Sequence, residues 1–228
     1  MIAQWHTLLN LYDEIRADPT FAHLRAGKNR LVPGEGSITP RVLVIGEAPG
    51  AQEAMKLRPF VGKSGVMLRR LMGIAGLHSQ PFTFGKITGF RVPHGCQSGI
   101  EMPPNCFITN VIKYRPIRNR TPVAHEIDLA RPYLKREWRA LGRPKIIVCV
   151  GAVALRATLN NPSYALLSRA GQPITRSSTR NNLAVTVWPM VHPGYALRRN
   201  DDAYRAELEG HWERLGEWLD NDPRHHSE

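Results

Sequence analysis

No stretch of this 228-residue chain approaches the roughly 20 consecutive apolar residues of a membrane-spanning helix, so a membrane-embedded role is not expected. The first residues, Met1 to His6, have neither the charged start nor the apolar centre of a secretory signal, and a cytoplasmic protein is expected. Cysteine is scarce. Cys96, Cys106 and Cys149 are odd in number and lack C-x-x-C spacing, which argues against a disulfide framework or a metal knuckle and leaves reduced structural thiols. No two of the nine histidines have the H-x-x-x-H spacing of a helical zinc site. Nucleotide signatures are missing as well: no G-x-G-x-x-G follows a candidate strand, and Gly62-Lys63-Ser64 has Leu57 where a phosphate-binding loop needs glycine. Neither a metal nor an organic cofactor is expected. Acidic residues are the last deficit: 19 Asp and Glu against 31 Lys and Arg give a net charge of +12. That balance points to a polyanionic partner, with nucleic acid favoured over a membrane surface because no basic amphipathic helix stands out.

What is present is organised around Arg41 to Gly65. Arg41 to Ile45 is short, apolar and β-branched, as expected of a strand buried on both faces of a parallel sheet. Gly46-Glu47-Ala48-Pro49-Gly50 then turns sharply, so that backbone at Gly46, Ala48 and Gly50 can approach a ligand while Glu47 sits at the strand's carboxyl end. Open α/β sheets bind their ligands at that end. Arg58-Pro59-Phe60-Val61-Gly62 next fixes an aromatic between a proline and a glycine. A phenylalanine after proline is ordinarily core, and strand–turn–helix units occur in every doubly wound protein, so neither half is sufficient alone.

The hydrophobic content of 42% suits one good-sized core, and a single domain over residues 1–228 is expected. Gln4 to Ala17 spaces Trp5, Leu8, Leu9, Tyr12 and Ile15 as an amphipathic helix, and a connector rich in Pro and Gly completes residues 1–40. Lys63 to Ala75 reads as a helix with Val66, Leu68, Leu71, Met72 and Ala75 inward and Arg69 and Arg70 outward. Residues 76–105 hold five glycines and four prolines and read as an inserted loop. Cys106 to Thr109 is a second buried strand ending at Asn110. In Val111 to Pro122, Lys113, Arg115, Arg118 and Arg120 interleave with Tyr114, a composition suited to phosphates. A helix from about Val123 to Leu141 should break or kink at Pro132. Lys145 to Val150 is a third strand with a small-residue turn at Gly151, Ser163 to Asn182 is an unpatterned loop, and Leu183 to Pro189 is a fourth strand. It ends at Val191-His192-Pro193-Gly194, ahead of a final helix from Asp201 to Leu219.

Strands thus alternate with helices, the pattern of an α/β fold around a central four-stranded, mainly parallel sheet. Their carboxyl ends carry Glu47, Asn110, the Gly151 turn and His192. An asparagine after a strand is often only a turn former, and a histidine before proline is often structural. Together with Phe60 they form a more specific set: an aromatic face, a carboxamide with donor and acceptor, and an imidazole meet the needs of a flipped pyrimidine.

Gly46-Glu47-Ala48-Pro49-Gly50, Arg58-Pro59-Phe60-Val61-Gly62, Ile108-Thr109-Asn110-Val111, Lys113 with Arg115-Pro116, Asn119-Arg120-Thr121-Pro122 and His192-Pro193 together resemble the uracil-DNA glycosylase superfamily, nearest its family 4. The resemblance spans about Arg41 to Arg199. It implies a three-layer α/β/α sandwich that flips deoxyuridine out of single- or double-stranded DNA, hydrolyses the N-glycosidic bond and leaves an abasic site, acting as a monomer. Carried over by motif, Glu47 positions or activates water, Phe60 stacks on uracil, Asn110 reads its edge and His192 hydrogen-bonds O2. Glu53 falls on a further acidic position of the family and is assigned with Gly46, Ala48 and Gly50 to substrate binding. Arg115, Asn119, Arg120, Pro193, Gly194, Leu197 and Arg198 are assigned to DNA, with the 192–199 segment as an inserting loop and Leu197 as its wedge.

The sequence departs from family 4 in three places. That family usually carries an iron–sulfur cluster on four cysteines, whereas Tyr114 and Ala130 stand at two of the ligand positions and the N-terminal pair is missing, so the cluster is expected to be absent. Packing around Tyr114 and Tyr133 is expected to replace it. The 76–105 insertion is longer than usual, and the segment after His192 has Gly194 and lacks the basic, histidine-containing insertion of covalently trapping relatives. Alternatives remain a glycosylase for hypoxanthine or xanthine, a non-catalytic DNA-binding relative, and, more distantly, a small-molecule α/β enzyme.

Overall fold

The computed structural model describes residues 2–25, 29–77, 105–178, 183–199 and 201–222. One sheet of six strands runs through it: β1 (Glu35–Gly36), β2 (Val42–Gly46), β3 (Cys106–Asn110), β4 (Ile146–Val150), β5 (Ile174–Ser178) and β6 (Leu183–Met190), in the order β1-β3-β2-β4-β6-β5. The inner four are parallel and are the four strands expected from their apolar runs. Two antiparallel edge strands were not anticipated. β1 is two residues inside a glycine-rich connector, where a Cβ on Gly36 would lie 2.2 Å from the Cys106 carbonyl oxygen. β5, Ile-Thr-Arg-Ser-Ser, carries too few apolar side chains to show a period, which an edge strand tolerates.

Because the inner strands are covered on both sides, their side chains divide between two cores. Leu43, Ile45, Phe107, Ile147 and Val187 face the layer of α1 (Ile2–Ala17), α4 (Ala124–Ala140) and α5 (Ala152–Leu159). Val44, Ile108, Val148 and Trp188 face α3 (Lys63–Ile74), α6 (Pro193–Arg199) and α7 (Asp202–Asn221), giving three layers. A short α2 (Ala51–Lys56) follows β2. Some faces differ from expectation. Leu11, not Leu9, fills the α1 core position, Val66 is exposed, and Arg69 turns inward to Glu35 at 3.2 Å. α4 continues through Pro132, which lies on the exposed side of the helix. All but the ends of the 76–105 insertion falls outside the described residues.

A buried polar network ties the N-terminal helix to the sheet rim. Glu137 of α4 is fully buried and accepts hydrogen bonds from Tyr12 Oη at 2.5 Å, Thr109 Oγ1 at 3.1 Å and Lys113 Nζ at 2.6 Å. Lys113 also donates to the Asn110 carbonyl at 2.7 Å, and Tyr12 Oη accepts from Gly34 N at 2.9 Å. Lys113 is therefore part of the scaffold and does not face phosphates, as its place in a basic segment had suggested. Burial pulls its ammonium below the usual lysine range, and Glu137 opposes that shift.

Removing one partner of such a pair strands the other charge in the core. Lys113→Met should cost about 3–5 kcal/mol of stability in urea unfolding, and adding Glu137→Gln should recover part of it. A loss below about 1 kcal/mol would show that the pair does not support the fold.

Candidate active site

Leaving β2, the chain first adds β3 on one side and then returns across β2 to add β4 on the other. The carboxyl end of β2 is thus a topological switch point, where a crevice opens in sheets of this kind. Gly46 ends β2 in register with Asn110 of β3. A Cβ on Gly46 would sit 2.4 Å from Asn110 Oδ1 and 2.4 Å from Phe60 Cζ, so only glycine lets the carboxamide and the ring close over that point. Phe60 has a φ of 53°, and a Cβ on Gly65 would lie 1.9 Å from its carbonyl oxygen. A left-handed phenylalanine needs strong surroundings to persist.

Glu53 supplies them. Its Oε1 accepts from Val61 N at 2.9 Å and Gly62 N at 2.8 Å, and its Oε2 accepts from Gly50 N at 3.1 Å. One carboxylate thereby joins the Gly50 turn to the Phe60 loop. Glu35 of β1 steadies the same loop, taking both Nε and Nη2 of Arg58 at 2.7 and 3.1 Å.

His192 follows β6, with its ring centroid 6.1 Å from that of Phe60 and tilted by 31°. The Gly194 N–H donates to its Nδ1 at 3.0 Å, which puts the imidazole hydrogen on Nε2. Burial, with Arg198 nearby, moves its pKa from 6.5 to about 4, so the ring is neutral above that value. Glu47 is half-buried, and burial raises its carboxyl pKa while Arg198 pulls it back. Its carbonyl accepts from Ile112 N at 3.1 Å, which fixes the turn to the segment after β3. Ala48 and Gly50 line the same turn and are half-buried.

The expected inserting loop is instead the short helix α6, which Pro193 can open because the N–H that proline lacks has no intrahelical partner in a first turn. Pro193 and Gly194 are buried, Leu197 is 40% exposed, and Arg198 stands beside both Glu47 and His192. Sequence reasoning missed Ser64, whose Oγ would lie 2.9 Å from a Cβ on Gly194, because the first turn of a helix gives no sign of which strand end it faces. In the segment after β3, Arg115 Nε donates to Asn119 Oδ1 at 2.6 Å. Arg120, assigned to DNA from its motif, forks onto Glu126 at 2.8 and 2.6 Å and holds that carboxyl at about 2.

The residues at the iron–sulfur positions do not fit a cluster. Tyr114 and Ala130 are core residues, and Phe21 packs with ring centroids 6.2 Å from Tyr114 and 5.8 Å from Tyr133. Tyr133 Oη donates to Asp18 at 2.6 Å. Cys106 and Cys149 lie on opposite faces of the sheet, both thiols pushed up by burial to about 12. Cluster ligation needs several thiolates converging on one point. Elemental analysis of the purified protein should therefore find no stoichiometric iron, and stoichiometric iron with cluster absorbance would contradict the aromatic packing described for this region.

The Uracil DNA glycosylase superfamily model matches residues 33–216. A type-4 uracil-DNA glycosylase from Archaeoglobus fulgidus is 30% identical over 85% of this chain and 84% of its own length. A type-4 uracil-DNA glycosylase from Thermotoga maritima is 28% identical over 89% and 90%, and a type-5 uracil-DNA glycosylase from Pyrobaculum aerophilum is 28% identical over 72% and 66%. The match covers all six strands and the rim residues Glu47, Phe60, Asn110 and His192: the chain belongs to the uracil-DNA glycosylase superfamily.

Proposed function

We propose that this protein excises uracil from DNA by drawing deoxyuridine into the crevice at the end of β2 and hydrolysing its N-glycosidic bond. The observation that carries this reading is the neutral, oriented imidazole of His192 beside Phe60, on the rim that also holds Asn110 and Glu47. Uracil leaves with the electron pair of the C1′–N1 bond, so the base becomes an anion and the sugar becomes cationic. His192 Nε2–H donates to the O2 where that negative charge develops, and a pre-set neutral donor needs no reorganisation during the step. Asn110 offers both a donor and an acceptor to the O4/N3 edge, and Phe60 offers a face for stacking. The Glu47 carboxylate holds the water that adds to C1′ and stabilises the cationic sugar. Arg198 favours both required states: it opposes the burial that raises Glu47 and adds to the burial that lowers His192.

The test is single-turnover uracil release from a single-stranded oligonucleotide. Asn110→Ala and His192→Ala should each slow release by about 100- to 1000-fold with little change in melting temperature. Rates within a few-fold of wild type would remove these roles. The pH dependence follows from the two shifts. Glu47 must be ionised and its pKa is raised, so the rate should fall on acidification from a pH above the ordinary carboxylate range, and Glu47→Gln should lose that limb. His192, with its pKa at about 4, should add no inflection across roughly pH 5 to 8.

A further inference from the structure

The turn between β3 and α4 has a feature that the base pocket does not use. Ile117–Asn119 is a single 3-10 turn in which Arg118 and Asn119 both have a φ of 56°. Asparagine tolerates left-handed backbone, but arginine adopts it at a cost, and such strain persists only where neighbours enforce it. Here Arg115 Nε donates to Asn119 Oδ1, Asn119 N donates to Pro116 O at 3.0 Å, and Asn29 Nδ2 donates to Arg115 O at 2.8 Å. Arg120 is anchored on Glu126. The result is a braced turn that presents Ile117, 61% exposed, beside an exposed Arg118.

A lone exposed isoleucine is ordinary. Its place in the topology is what matters. β3 and β4 both run parallel to β2, so the chain from Asn110 into α4 starts at the carboxyl end of the sheet, the end that carries Glu47 and His192. β3 flanks β2 on one side, and β6, which leads into α6 and Leu197, lies beyond β4 on the other. Three strand spacings separate β3 from β6, roughly 14 Å, or about four nucleotides of one DNA strand. The strand ends that lead to two exposed apolar side chains, Ile117 next to Arg118 and Leu197 next to Arg198, therefore lie on either side of the β2 end.

We propose that Ile117 is a second apolar wedge that enters the base stack of duplex DNA on the β3 side of the target nucleotide, while Arg118 meets the adjacent phosphate. The inference rests on the DNA reading given under Proposed function. Extruding a base from a duplex opens the stack on both of its sides, and an apolar side chain inserted at the gap compensates for the lost stacking. A single strand has no continuous stack to open, so Ile117 should matter for duplex substrate in particular.

The experiment places a fluorescent adenine analogue next to deoxyuridine in a duplex, which reports unstacking whether or not the bond is cut. Uracil release from that duplex and from the matching single strand is read in parallel. Ile117→Ala removes an exposed side chain, and should lower both the fluorescence rise and the duplex-to-single-strand release ratio about tenfold. Arg118→Gly relaxes the backbone, and should hold the melting temperature while reducing the salt slope of duplex binding by about one counterion. Wild-type unstacking with a wild-type release ratio in Ile117→Ala overturns the wedge, as does wild-type protein that causes no unstacking. An unchanged salt slope in Arg118→Gly removes the phosphate contact. Unstacking that depends on Ile117 without uracil release from either DNA overturns the uracil reading and leaves the wedge standing.

Discussion

A single carboxylate, Glu53, joins the two loops that follow the carboxyl end of β2. It is the acceptor for three backbone N–H groups, from Gly50, Val61 and Gly62, that belong to two different loops. Bonds from N–H groups to a charged acceptor are stronger than neutral ones, and three of them hold Phe60 in a left-handed conformation that its own backbone disfavours. The ring is thereby set against Gly46, where Asn110 arrives from the neighbouring strand. Glu53 was expected among the substrate-binding residues, and the structure gives it three backbone partners in the loops around the pocket.

The electrostatics of the site follow from burial and from one neighbour. His192 and Glu47 are drawn toward their neutral forms by the loss of water around them, and Arg198 adds to the first shift and opposes the second. A departing anion and a cationic sugar would call for a neutral imidazole and an ionised carboxylate, and at Glu47 burial pulls against the second while Arg198 supports it. Farther back, the Lys113–Glu137 pair ties the Asn110 backbone to α4 and α1, so the position of Asn110 is set by a network crossing three elements.

Much of this was legible in the sequence, for identifiable reasons. Strands buried on both faces read as continuous apolar runs, so β2, β3, β4 and β6 were visible, and with them the rim positions Glu47, Asn110 and His192. Glycine motifs marked the Gly46 turn because close approach permits no side chain. What stayed hidden depends on partners distant in the chain. Tyr12 meets Glu137 across 125 positions, Glu35 reaches Arg58 from an edge strand of two residues, and Arg120 looks free until Glu126 folds back onto it. Composition could count the basic residues but could not separate those used in the scaffold, such as Lys113, from those left outward, such as Arg118. The helical form of residues 193–199 was obscured by its brevity and by the His-Pro-Gly that opens it.

The central claim is that the crevice between Phe60, Asn110 and His192 selects uracil. The most direct measurement is the identity of the free base released by the wild-type protein from single-stranded oligonucleotides that each carry one uracil, hypoxanthine or xanthine. Release of uracil with an abasic site left in an intact strand, and little release of either purine, is the predicted result. No uracil release, or faster release of hypoxanthine or xanthine, would contradict the account.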